Sequence, residues 1–159
     1  MIRSIKFFIA IAMVGAISTG LLFTSCKKDD DPTRMELLTD KAWKLTAQVI
    51  NPPIPAENGT LVTDLYAQYD ACNKDDLATF RDSGNVLFDE GPSKCMNTDP
   101  QTVTGTWAFN TTETILSITL SNETSSWDII TLEDSKLVVE EEFTDLGITY
   151  TITSTYAKQ

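Results

Sequence analysis

The sequence predicts an all-β domain: an antiparallel, up-and-down, eight-stranded barrel preceded by a short helix. Most of the chain after residue 42 alternates apolar and polar residues with a period of two, which is typical of half-buried strands. Short turn-forming segments separate the later strands, which favours antiparallel pairing between sequence neighbours. An open sheet of eight strands would expose two edges, and closure into a barrel removes both.

A short helix is expected from Thr33 to Ala42. Thr33 is a suitable N-cap, Glu36 lies three residues further on, and apolar residues then recur at helical spacing. A further turn or two of helix fits the segment between Asp64 and Ala71. The rest of the domain is expected to be strands and connecting loops.

The eight strands follow the helix. The first runs from Trp43 to Val49 and should end at Asn51–Pro55, because proline cannot donate a hydrogen bond to a sheet. A long loop then reaches about Thr63. This is the only long link, whereas a β-sandwich, the competing fold, would favour several. The other seven strands contain Ala78 and Phe80, Val86 and Phe88, Val103 to Phe109, Leu116 to Leu120, Trp127 to Leu132, Lys136 to Phe143, and Ile148 to Tyr156.

The N-terminus has the pattern of an exported lipoprotein. A short basic start precedes an apolar run from Phe7 to Phe23, which is short and interrupted for a membrane-spanning helix. Phe23-Thr24-Ser25-Cys26 then resembles the lipobox of bacterial lipoproteins, whose cysteine thiol receives diacylglycerol. We therefore expect residues 1–25 to be a signal peptide and Cys26 to be the lipid-bearing first residue afterwards. The alternative is a membrane-spanning anchor in which Cys26 has no role.

Residues 26–34 are expected to form a lipid-anchored flexible linker, and residues 35–159 the barrel domain. The charged run from Lys27 to Asp31 resembles the surface-export signal of Bacteroidetes lipoproteins. That resemblance implies an outer-membrane protein displayed on the cell surface. A plain linker on a protein of the periplasmic leaflet is the alternative. In both cases the membrane is a partner through the N-terminal lipid.

Composition excludes several classes of function. The first 25 residues hold two of the 12 basic residues and none of the 23 acidic ones, so the remainder has a formal net charge of −13. Nucleic acid and anionic membrane surfaces require a basic footprint and are disfavoured as partners. The chain has no histidine, which removes the usual catalytic triads and the common zinc sites. We expect a monomer without cofactor, metal or catalytic activity.

Two acidic segments are candidates for metal binding or catalysis. The run Asp70–Asp76 lacks the alternating ligands and central glycine of a calcium-binding EF-hand loop. It is interpreted as a disulfide-stapled turn with solvated carboxylates. Asp89 and Glu90 are adjacent residues of a predicted strand and should face opposite sides, so they cannot flank one glycosidic bond.

Two cysteines, Cys72 and Cys95, remain besides Cys26. In an oxidising compartment, one disulfide between them is the default expectation. Two unpaired buried thiols are the alternative.

Several segments occur together in an order that resembles a known family. They are Lys41-Ala42-Trp43-Lys44-Leu45, Cys72-Asn73-Lys74-Asp75-Asp76, Phe88-Asp89-Glu90-Gly91 ahead of Lys94-Cys95, and Thr104-Gly105-Thr106-Trp107-Ala108-Phe109-Asn110. From about Met35 to Lys158 the chain is similar to the lipocalin-like domain of Bacteroidetes lipoproteins. The resemblance implies a small antiparallel barrel and a Cys72–Cys95 bridge. It implies no established activity, ligand or catalytic residue.

The strand from Lys136 to Phe143 contains a candidate ligand-binding residue. Leu137, Val139 and Phe143 share the face expected to be the barrel interior. Strict alternation places Glu141 on the same face, and an unpaired carboxylate there is costly. Glu141 would orient a ligand near Trp107 and Tyr150. Alternatively, Glu141 lies in water near the open end, faces outward through a bulge, or pairs with Arg81.

Two classes of function follow. The first is a non-enzymatic binding module that holds a small apolar or amphipathic ligand in the barrel or at its mouth. The second is an interaction protein whose side chains fill the barrel and whose loops contact an envelope protein or glycan. Trp43, Trp107 and Trp127 would either line a pocket in the first case or fill the core in the second.

Overall fold

Nine antiparallel strands and one short helix make up residues 31–159, the part of the chain that this computed structural model describes. The expected signal peptide, Cys26 and most of the linker lie outside these residues. None of the helices within residues 31–159 is long and apolar enough to cross a membrane. The elements are α1 (Arg34–Leu38), β1 (Ala42–Pro55), β2 (Leu61–Asp64), a 3₁₀ turn (Tyr66–Gln68), β3 (Leu77–Phe80), β4 (Asn85–Asp89), β5 (Thr102–Phe109), β6 (Ile115–Leu120), β7 (Glu123–Leu132), β8 (Lys136–Asp145) and β9 (Ile148–Lys158).

Eight strand positions close into a barrel. From β3 to β8, each strand pairs with the next strand along the chain. β9 then pairs with β1 from Trp43 to Asn51. On its other side, β1 pairs first with β3 and further along with β2. These two short strands therefore lie end to end and count as one of the eight strand positions of the barrel. The predicted fold class, an antiparallel up-and-down barrel with a short N-terminal helix, is confirmed.

The helix begins as predicted and ends early. Thr33 and Glu36 form the capping box: the Thr33 backbone N–H donates to Glu36 Oε2 at 2.8 Å, and the Glu36 N–H donates to Thr33 Oγ1 at 3.2 Å. The last helical residue is Leu38 and not Ala42. Asp40 adopts a φ of 55°, and this left-handed residue turns the chain into β1.

The first strand is longer than predicted. β1 continues through the prolines to Pro55, and the loop expected to reach Thr63 contains β2. Proline is tolerated because β9 pairs with β1 only as far as Asn51, which leaves one side of the remaining residues free. On the other side, Ile54 pairs with Val62 after a register shift.

The core holds two of the three tryptophans. The Trp43 indole N–H donates to the Leu38 carbonyl at 2.9 Å, and the Trp107 indole N–H donates to the Arg81 carbonyl at 2.9 Å. Phe80 packs edge-to-face on Trp107 with ring centroids 5.7 Å apart. The buried cluster consists of Leu38, Trp43, Ala78, Phe80, Val86, Trp107, Leu116, Ile118, Leu132, Leu137 and Val139.

The interior face predicted for β8 is buried along only part of the strand. Leu137 and Val139 are buried, whereas Phe143 is 42% exposed. The prediction that Phe143 lies in the barrel is therefore wrong. The physical reason is that β7 pairs with β8 only as far as Glu140, so the rest of β8 continues with β9 as a hairpin that lacks that neighbour.

Ion pairs lie at the seam of the barrel, where the first strand, β1, pairs with the last strand, β9. Asp134, in the turn before β8, accepts hydrogen bonds from Lys41 and Lys158, each at 2.8 Å. The bonds from Lys158 and Lys41 hold the pKa of Asp134 at about 2. Arg81, the alternative partner expected for Glu141, instead forms an ion pair with Asp40, with an N–O distance of 3.1 Å.

Candidate functional site

A cavity of about 370 Å³ lies in the barrel where the loops 65–76 and 90–101 meet the strands. This volume is within the range of roughly 300–1,000 Å³ that small-molecule sites occupy. Its apolar wall consists of Trp43, Leu45, Leu77, Ala78, Phe88, Val103 and Tyr156. Its polar end consists of Tyr69, Asn73, Asp76, Asp89 and Glu90.

Strand register produces the apolar wall. Trp43 of β1 pairs with Ala78 of β3, Ala78 pairs with Phe88 of β4, and Phe88 pairs with Val103 of β5. Directly opposed residues share a face of the sheet, so these four side chains form one row. The row reaches solvent at Val103, which is 37% exposed. Tyr69, which also lines the cavity, is 36% exposed.

Tyr156 of β9 forms another side of the cavity and stacks on Trp127 with ring centroids 5.9 Å apart. Burial, the neighbouring Tyr69 and the charge of Glu141 raise the pKa of Tyr156 above its ordinary value, although a hydrogen bond with Ser154 opposes them. The Tyr156 hydroxyl therefore stays neutral at physiological pH and is able to donate a hydrogen bond.

The polar end contains a carboxyl group with an altered pKa. Burial, followed by the charges of Glu90, Asp75 and Asp89, raises the pKa of Asp76 to about 6. One oxygen of Asp76 and one of Asp75 are buried and have no hydrogen-bond partner among the described residues. Burial and mutual repulsion both disfavour the ionised form of Asp76.

A disulfide connects the two loops that carry these carboxyls. Cys72 and Cys95 are bonded, with Cα atoms 5.2 Å apart. The predicted bridge is confirmed, and the alternative of two free thiols is wrong. The loops also meet where the Ser93 N–H donates to Asp75 Oδ2 at 3.0 Å. Gly91, at φ 64°, packs so closely that a Cβ there would collide with the Asp75 carbonyl.

The match to a known family spans these features. A profile of the lipocalin-like domain family matches residues 39–139, which include both loops and most of the cavity wall. The chain belongs to the lipocalin-like domain family. No curated protein sequence matches it.

Among solved structures, the lipocalin-like domain is similar to bovine odorant-binding protein. The complex of that protein with undecanal has 18% identity, covers 84% of this chain and 77% of its own, and gives a TM-score of 0.43. Its complex with a selenium-containing odorant has 16% identity, the same two coverages and a TM-score of 0.42.

The residues predicted to orient a ligand do not line this cavity of the lipocalin-like domain, although Trp107 lines a different one of about 420 Å³. Trp107 is packed in the core against Phe80 and Phe109. Tyr150 stacks on Phe143 in the β8–β9 hairpin, with ring centroids 5.1 Å apart. Glu141 is half-buried, and its charge contributes to the raised pKa of Tyr156.

The acidic segments differ from their sequence interpretation. Asp75 and Asp76 are half-buried, not solvated. Asp89 and Glu90 both line the cavity, because β4 ends at Asp89 and Glu90 no longer follows the alternation of a strand. Within residues 31–159, no group of three or more histidine, cysteine, aspartate or glutamate side chains is arranged to hold a metal ion.

Proposed function

We propose that this lipocalin-like protein is a non-enzymatic binding module of the cell envelope that holds a small apolar or amphipathic molecule in its cavity. The observation that carries the proposal is the cavity itself, with an apolar wall contributed by five strands and a polar end formed by two loops. The fold supports it, because lipocalin folds are typically used to bind small ligands. The apolar wall would supply affinity by removing ligand surface from water.

The same proposal includes a lipid anchor at Cys26 and a position on the outer membrane, facing the cell surface. The lipobox pattern and the charged run from Lys27 to Asp31 support this placement. The alternative is the periplasmic leaflet. A tethered binding module keeps its ligand close to the membrane, where amphipathic molecules concentrate.

Binding of a fluorescent apolar probe tests the cavity. N-phenylnaphthylamine, which brightens in apolar surroundings, is titrated into residues 26–159 with Cys26→Ser, which lack both the acyl chains and the apolar run of residues 7–23, so that no detergent is needed. Saturable binding is expected. Val103→Trp places a large ring at the partly exposed rim and should weaken binding at least tenfold, since the site is occluded without disturbing the deep core.

Val49→Trp is the matched control, because Val49 is 45% exposed on β1 and does not line the cavity. This variant should bind the probe like the parent. A parent protein that fails to bind, or a Val103→Trp variant that binds equally well, would show that the cavity is not a ligand site.

The second candidate is the interaction protein, and the tip of the β8–β9 hairpin favours it. Leu146 is 94% exposed and Ile148 is 48% exposed, beside the partly exposed Phe143. Exposed apolar side chains grouped in this way are typical of contact surfaces. If the cavity bound no apolar probe, this hairpin would become the leading functional surface.

A further inference from the structure

The charges around the cavity all have the same sign. Asp76, Asp89 and Glu90 line it, and within residues 31–159 no lysine or arginine does. Lys74, the basic residue closest in sequence to Asp76, places its ammonium group 5.2 Å from the centre of the Tyr66 ring. None of the three ion pairs in the described part of the chain involves a cavity carboxylate.

The three carboxylates are not equally free to bind a ligand. Asp89 already accepts two hydrogen bonds on Oδ1, from the Gly91 N–H at 2.8 Å and from Gln101 Nε2 at 3.1 Å. Asp76 differs, because its Oδ1 is closed off from solvent and has no partner among the described residues, so the part of its carboxylate that lines the cavity is the part that can meet a ligand. Glu90 is close enough to Asp76 for their charges to repel.

A half-buried carboxylate among like charges, such as Asp76, costs free energy unless a proton or a cation compensates it. An ammonium group supplies both a positive charge and three hydrogen-bond donors. The aromatic ring of Tyr156 would also favour a cation close to its face. A ligand with a carboxylate would meet repulsion from all three acidic residues.

We propose that the ligand of this cavity is a cationic amphiphile, an apolar molecule with one ammonium group that binds at Asp76 and Glu90 while its apolar part lies against Trp43, Phe88 and Val103. The inference rests on the proposed function and specifies the class of molecule that the cavity takes. The disulfide and the packing of Gly91 against Asp75 hold the two loops together, so the carboxylates are positioned before the ligand arrives.

Three probes with the same chain and different heads test the charge preference. Octylamine, octanol and octanoate compete with N-phenylnaphthylamine for the same Cys26→Ser protein, residues 26–159, at about pH 8, where Asp76 is ionised and the amine is still protonated. Octylamine should bind at least tenfold more tightly than octanol, and octanoate should bind more weakly than both. Asp76→Asn should lower the affinity for octylamine at least tenfold and leave the affinity for octanol within about twofold.

Glu90→Gln is a second variant with the same expected direction, and Asp145→Asn is the control. Asp145 ends β8 in the exposed hairpin, so this variant removes one negative charge without touching the cavity. Equal affinities of the parent for octylamine and octanol would overturn the inference and leave the apolar cavity as the site. An equal loss of octylamine binding in Asp145→Asn would also overturn it. Failure of all three probes to bind would reject both the inference and the proposed function.

Discussion

At the scale of single residues, two aspartates show that the surroundings of a carboxyl group determine its pKa. Hydrogen bonds from Lys158 and Lys41 lower the pKa of Asp134 to about 2. Burial and three acidic neighbours raise the pKa of Asp76 to about 6. Folding therefore favours the charged form of Asp134 and the neutral form of Asp76, so the two groups influence stability in opposite directions as pH changes.

Asp76→Asn should stabilise the protein at neutral pH and not in acid. Because the folded pKa of Asp76 is raised from 3.8 to about 6, its stabilising contribution is complete below about pH 4 and is lost as pH rises through 6. Asparagine mimics the neutral form and avoids this loss. The gain at pH 8 should be about 1 kcal/mol, after discounting for solvent screening of a half-buried group.

Thermal unfolding of the parent and Asp76→Asn between about pH 4 and pH 8 measures this difference. The groups that act on Asp76 are Glu90, Asp75 and Asp89, and all three remain in the variant. The contribution of Asp134 is also common to both proteins and cancels. A gain of the same size at both ends of the pH range would mean that titration of Asp76 is not its cause.

The sequence indicated where the carboxylates are but not how they are buried. The run Asp70–Asp76 stood out as acidic, and Cys72 and Cys95 were recognised as a pair. Asp75, the neighbour of Asp76, packs against Gly91 and Ser93 of the other loop. Contacts between two irregular loops leave no periodic pattern in a sequence, so the site could not be predicted from alternation.

At the scale of elements, period-two alternation predicted the strands that pair over many residues and missed the short one. β2 has only four residues, Leu61–Asp64, and follows a proline-rich segment whose sequence predicts a loop. Alternation also placed Phe143 inside the barrel, because it cannot show where β7 stops pairing with β8. Residue patterns define the faces of a strand, whereas the extent of pairing depends on its neighbours.

Gly105 of β5 illustrates a constraint that acts between elements. A Cβ there would come within 2.6 Å of the Thr119 carbonyl on β6 and 3.3 Å of Val86 Cγ1 on β4. Gly105→Ala should therefore force β5 away from its partners and destabilise the domain by about 1–3 kcal/mol, as overpacking of a core does. Denaturant unfolding at equilibrium measures the loss.

Thr106→Ala is the control for this prediction, because it changes the next residue of the same strand at an exposed position. Its effect should stay below about 1 kcal/mol, the range of strand propensities. A Gly105→Ala protein as stable as the parent would show that β5 and β6 can separate at no cost.

At the scale of the whole molecule, the pairing of β9 with β1 ties the end of the chain to the first strand. The Asp134 ion pairs reinforce this seam by connecting Lys41 near the start of the domain to Lys158 near its end. This closure leaves no long free sheet edge in the barrel of residues 42–158, which protects it from edge-to-edge aggregation.

The last prediction concerns the anchor. Cys26→Ser should abolish acylation and release the protein from membranes, because buried acyl methylenes contribute about 0.8 kcal/mol each and two chains are needed for stable attachment. Detergent phase separation of cell extracts measures the release, and protease treatment of intact cells measures surface display. Replacing Asp29, Asp30 and Asp31 with alanine should keep the lipid but protect the domain from protease, while glutamate at the same positions should preserve display. A Cys26→Ser protein that partitions into detergent like the parent would contradict the lipobox interpretation, and equal protease sensitivity of the alanine variant would make Lys27 to Asp31 a plain linker.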